Sequence, residues 1–132
     1  MILSNLNKSF LTLGVVAVMM SVPIISVNAQ SPNMQTQYFS SIPDLPLMDG
    51  LTELPDETVS FDKPEGRIIE VYAMMELITR QDVLVFYRGT LPQLGWTPDG
   101  QTRFYRKDEY LDLEFIEGEN GIILKFMISP AL

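Results

Sequence analysis

Two carboxylates, Asp112 and Glu114, stand two residues apart in the alternating stretch Tyr110-Leu111-Asp112-Leu113-Glu114-Phe115. On a strand that spacing puts both on one face, as a general acid and base would need. The same spacing describes a solvated outer face whose acids pair with Arg103, Arg106 or Lys107 on the preceding strand. Catalysis would further require a cleft and one raised carboxyl pKa, so the residue types favour the solvated face. Glu117, Glu119 and Asn120 offer oxygens for a cation, but they lack the D-x-D-x-D-G spacing of a calcium loop and read as turn chemistry. Gly118 and Gly121 precede no Lys-Ser/Thr pair and make no phosphate loop. Tyr72, Trp96, Tyr105 and Tyr110, with carboxylates nearby, are the material for a small-ligand or cation site. No catalytic, cofactor-binding or metal-ligating residue is assigned, and no cofactor is expected.

Composition narrows the chemistry further. The 132 residues contain no His and no Cys. That excludes Ser-His-Asp and Cys-His nucleophiles, His or thiolate metal centres, iron–sulfur clusters and disulfides. With 17 acidic against 9 basic residues and a net charge of -8, the chain lacks the clustered cations that bind nucleic acid through phosphates. Its length allows one domain.

The elements that must position these residues begin after a long leader. Residues 1–29 read as a signal peptide: Lys8 supplies the early positive charge, Phe10 to Val27 is apolar, and Val27-Asn28-Ala29 is a small-residue exit before Gln30. The alternative is an anchor helix over residues 10–27, at the lower edge of the length that spans a bilayer. All 17 acidic residues but only 8 of the 9 basic ones follow Gln30, so the processed chain carries a net charge of -9. An exported domain without Cys fits a bacterial envelope, since small secreted eukaryotic domains of this size usually depend on disulfides.

Residues 30–41 are expected to form a polar, disordered tether. Residues 42–58, punctuated by Pro43, Pro46 and Pro55, read as an extended segment that lies on the domain and buries Leu45, Leu47 or Met48. Residues 59–132 are expected to form an α+β domain. Val59–Phe61 and Arg67–Met74 are strand-like, joined by a turn at Asp62–Gly66. Thr79 and Asp82 read as the cap of a helix whose apolar stripe is Val83, Tyr87, Leu91 and Leu94. Gly95 is the expected left-handed stop, and Pro92 ends or kinks the last turn. Four strands follow, over Trp96–Pro98, Thr102–Lys107, Tyr110–Glu117 and Ile122–Ser129. The order β-β-α-β-β-β-β, with short connections, predicts an antiparallel meander sheet of five to six strands with one helix packed on one face.

The segment Phe86-Tyr87-Arg88-Gly89-Thr90-Leu91-Pro92-Gln93-Leu94-Gly95-Trp96 resembles the F-Y-x-x-x-L-x-x-x-G-W helix end of small exported bacterial proteins of unassigned function. An upstream element similar to Leu47-Met48-Asp49-Gly50-Leu51 extends the resemblance over Pro46 to Pro130, with Asp49 where many such proteins have Pro. The resemblance implies a helix followed by short strands. It brings no catalytic residues with it.

One helix covers one side of a sheet. Tyr72, Met74, Ile123 and Met127 alternate with the core set and fall on the other side, so they form the expected interaction face. Its cover is either the proline-rich Ile42–Met48 segment or a partner. The chain then reads as a non-catalytic module of the bacterial envelope, periplasmic or secreted, that binds an envelope protein or forms a homo-oligomer through this face. A small-ligand or cation-binding domain is the alternative, and a carboxylate-dependent hydrolase ranks third. Membrane contact is expected only if the signal segment stays uncleaved.

Overall fold

A computed structural model describes residues 36–132 together with Gly14, so the signal segment, the cleavage point and the start of the tether lie outside the described residues. The domain runs β1 (Gln37–Tyr38), β2 (Pro46–Leu47), β3 (Leu51–Glu53), β4 (Val59–Lys63), β5 (Gly66–Met75), α1 (Arg80–Thr90), β6 (Thr97–Pro98), β7 (Arg103–Arg106), β8 (Glu109–Gly118) and β9 (Gly121–Pro130). Every pairing is antiparallel. The fold is α+β, a sheet with a single helix packed on it, as the alternation and the helical stripe predict. Strands β6 to β9 form the meander, and β5 joins it by pairing with β9. Strands β3 and β4 share the far edge of β5, which makes seven strands, and β1 and β2 form a separate ladder. The strands beyond the expected count span only two or three residues, too short to show alternation.

The helix starts where its chemistry dictates. Asp82 N–H donates to Thr79 Oγ1 at 3.1 Å, and Thr79 N–H donates to Asp82 Oδ2 at 2.8 Å. This reciprocal box satisfies amides that the first turn leaves without helical partners. At the other end Pro92 cannot donate a helical hydrogen bond, so the last turn tightens into a 3-10 segment at Leu91–Leu94. Gly95, at φ 87°, then stops it in the left-handed region.

Val83, Tyr87 and Leu91 of the helix side pack with Val71, Ala73, Leu111, Leu113, Leu124, Phe126 and Ile128 of the sheet to form one core. The Tyr87 and Phe126 rings meet edge-on at 4.9 Å. Leu94, expected in the buried stripe, is only partly buried, because the 3-10 turn rotates it away from the helical face.

The N-terminal strap is where expectation and structure part. Phe39, assigned to a disordered tether, is 1% exposed and meets Phe126 edge-on at 5.0 Å. Ile42 and Leu45 are buried in the same core, while Leu47 and Met48 pack against it. The strap therefore seats on the helix-bearing face of the sheet. The Tyr87 hydroxyl donates to the Pro46 carbonyl at 2.7 Å and locks it there. Cover of the opposite face by Ile42–Met48 is ruled out by this placement.

Candidate functional site

Strand alternation and register place Met74, Ile123 and Ile116 in one row across β5, β9 and β8, on the face away from the helix. The next row holds Tyr72, Lys125 and Glu114, and the one after it Val59, Glu70, Met127, Asp112 and Arg103. Beyond these, Phe61 stands opposite Ile68, and Tyr105 opposite Tyr110. The four expected residues do share one outer face, and all four are half-buried. Met74 and Ile123 are direct cross-strand neighbours. Met127 is separated from them by the polar Tyr72–Lys125–Glu114 row, so the face is not one continuous apolar patch.

That polar belt is internally paired. The Tyr72 hydroxyl donates to Glu70 at 2.7 Å, which together with partial burial raises the phenol above its ordinary pKa. Lys125 Nζ lies 2.5 Å from Glu114, and this hydrogen bond raises the ammonium pKa. Arg103 grips Asp112 with two bonds of 2.7 and 3.1 Å. Asp112 and Glu114 are thus held by different cations on opposite neighbouring strands, which is the solvated-face arrangement rather than that of an acid–base pair. Glu114 finds Lys125 on β9 instead of a cation on the preceding strand.

The remaining candidates scatter. Glu117 pairs with Arg80 at 2.5 Å, and Glu119 and Asn120 form the two-residue loop between the paired Gly118 and Gly121. Among the described residues no group of three His, Cys, Asp or Glu side chains could hold a metal ion. Trp96 is 3% exposed in the core, with the Arg106 guanidinium 4.2 Å from its ring centroid. Arg106 also donates to the Leu94 carbonyl and pairs with Asp44 of the strap. Of the four aromatic candidates only Tyr105 and Tyr110 come together, their ring centroids 5.5 Å apart.

Ile116 and Phe61 were not read onto this face from the sequence, whereas Ile68 alternates with Glu70, Tyr72 and Met74 as the strand pattern predicts. The alternation of β8 carried a signal for Ile116, which continues the series Tyr110, Asp112, Glu114. Phe61 is 57% exposed, and only its pairing with Ile68 reveals its side of the sheet. Among the described residues the geometry defines a class: an α+β domain whose one helix and strap cover one sheet face and leave the other open. No protein-family model, curated protein or solved structure matches this chain.

Proposed function

We propose that the chain is a non-catalytic binding module exported to the bacterial envelope, and that its outer sheet face docks on a protein surface, either another envelope protein or a second copy. One observation carries this reading. The helix and the strap, the covering elements among the described residues, are packed on the same side through Tyr87, Phe39 and Phe126. Met74, Ile116, Ile123 and Met127 are thereby left half-buried without a covering layer among the described residues. Half-buried apolar side chains on adjacent strands gain about 25 cal/mol per Å² when water leaves them. The paired ions of the central belt supply a polar pattern for register without an unpaired charge. Export is supported by the charged, apolar and small-residue regions of residues 1–29 and by the resemblance of residues 86–96 to small exported proteins.

A photoreactive amino acid at position 127, introduced into the exported protein in its own cells, tests the reading. A discrete crosslinked species that disappears with Ile123→Lys is expected, and a probe at the helix-surface position 85 should give none. Equal labelling from both positions, or none from 127, would show the face to be bare. Sequencing the mature N-terminus checks export separately, with Gln30 expected as the first residue.

A further inference from the structure

At the β6–β7 edge of the sheet, Thr97, Pro98, Asp99, Tyr105, Tyr110 and Ala131 surround a shallow depression of about 440 Å³. That volume falls within the range of small-molecule sites, roughly 300–1,000 Å³. We infer that this depression binds a neutral sugar unit of a glycan, stacked on the Tyr105–Tyr110 pair and hydrogen-bonded by Asp99 and Thr97. The site goes beyond the protein-docking face and does not depend on it.

Its lining selects the ligand class by elimination. Tyr105 is 38% exposed and tilted 56° from Tyr110, so the two phenols present apolar ring surface to solvent beside Pro98 and Ala131. The polar atoms around those rings are two phenol hydroxyls, the Thr97 hydroxyl and the Asp99 carboxylate, none with a side-chain partner among the described residues. Hydroxyls both donate and accept, and a carboxylate accepts through two oxygens. An anion would meet Asp99 on a chain of net charge -8. A cation would find the Tyr110 ring already engaged by the Arg103 guanidinium, 4.9 Å from its centroid and anchored by Asp112. An acyl chain would desolvate four polar groups without repaying a single hydrogen bond. A pyranose matches on both counts, because its C–H face lies flat on an aromatic ring while its equatorial hydroxyls reach acceptors at the rim. The depression is open at its mouth rather than enclosed, so a sugar within a longer chain can enter as readily as a free one.

Cellotetraose and tetra-N-acetylchitotetraose, titrated into the ¹⁵N-labelled full chain, test the assignment. Chemical-shift changes are expected at the amides of Thr97, Asp99, Tyr105 and Tyr110 with at least one of the two, at a Kd of about 0.1–5 mM, as a shallow site with few contacts implies. Tyr105→Ala and Asp99→Asn should each weaken binding about tenfold. Both positions are exposed, so the melting temperature should stay within about 2 °C. Ile123→Lys should leave sugar binding unchanged, which separates failure of this site from failure of the docking face. Silence with both oligosaccharides at 20 mM (about four times the weakest expected Kd) overturns the assignment. So does an affinity left undiminished by Tyr105→Ala. A response to an oligoproline peptide with none to either sugar would also overturn it, in favour of an extended peptide.

Discussion

The Tyr87 hydroxyl reaches across 41 positions of sequence to the Pro46 carbonyl. Burial pushes the phenol pKa up, so it stays a donor across the accessible pH range. Tyr87→Phe keeps the ring against Phe126 but leaves a buried carbonyl without its partner. It should cost about 1–3 kcal/mol in urea denaturation and speed hydrogen exchange over residues 39–48. Leu77 presents the opposite case. It is fully exposed yet sits at φ 57°, a left-handed conformation that costs a residue with a Cβ roughly 1–2 kcal/mol. Leu77→Asn loses no contact and relieves part of that strain, so the unfolding free energy should rise by up to about 1 kcal/mol in urea denaturation. Asp82 carries a pH signature. The Thr79 hydroxyl and amide hold its carboxyl below the ordinary value. A depressed folded pKa means the cap's stabilisation is complete above about pH 5 and is lost as pH falls through the lowered value. Asp82→Asn should flatten the fall in stability between about pH 5 and pH 2 relative to the parent. Thr79 and Asp82 were legible as a pair because a capping box is written within four residues. The Tyr87–Pro46 bond was not, because nothing local marks it.

The same division between near and far separates the elements. Strands β8 and β9 each run for ten residues and alternate through their middles, over Leu111–Glu114 and Leu124–Ile128, so those faces could be read before any contact was known. The helix likewise declares its stripe, and Leu91, fully buried, should cost about 2–5 kcal/mol as Ala. The strap gives no such signal. Its strands span two residues each, its composition around Gln35–Gln37 is polar, and its prolines suppress any period. Beyond its own short ladder, its place on the domain comes from tertiary contacts: Ser40 N–H and Oγ to Glu53, Asp44 to Arg106, and Phe39 under Phe126. Gly50 marks one such contact, since a Cβ there would come within 2.5 Å of Ile78 Cγ2. Phe39→Ala tests whether the strap is core or tether. A buried aromatic truncated to Ala costs about 3–5 kcal/mol, against nothing measurable for a tether residue. A loss of unfolding free energy in that range, read from the urea midpoint, is the expected result. An unchanged midpoint would return Phe39 to the solvent.

At the scale of the whole molecule, the consequence of the strap's position is that no element among the described residues covers the outer face. Two covers were open to the sequence, the Ile42–Met48 segment and a partner, and the packing of Tyr87, Phe39 and Phe126 removes the first. What is left is a face whose stability role and docking role can be separated by one substitution. Ile123 is half-buried between Met74 and Ile116 on that face, and no helix or strap residue sits over its row. In Ile123→Lys the long side chain can lay its methylenes along Met74 and lift its ammonium into water. The folded domain then loses little, about 0.5–1 kcal/mol, which for a domain of this size moves the melting temperature by only a few degrees. Docking loses far more, because a cation at the centre of an apolar contact is desolvated without a counter-charge. On the proposed function, sedimentation of the envelope complex should therefore show dissociation of Ile123→Lys at concentrations where the parent is associated, with both melting within a few degrees of each other. A large fall in melting temperature without loss of association would mean that Ile123 supports the fold rather than the partner. Retained association with an unchanged melting temperature would leave the face exposed to solvent and remove the ground for the docking proposal.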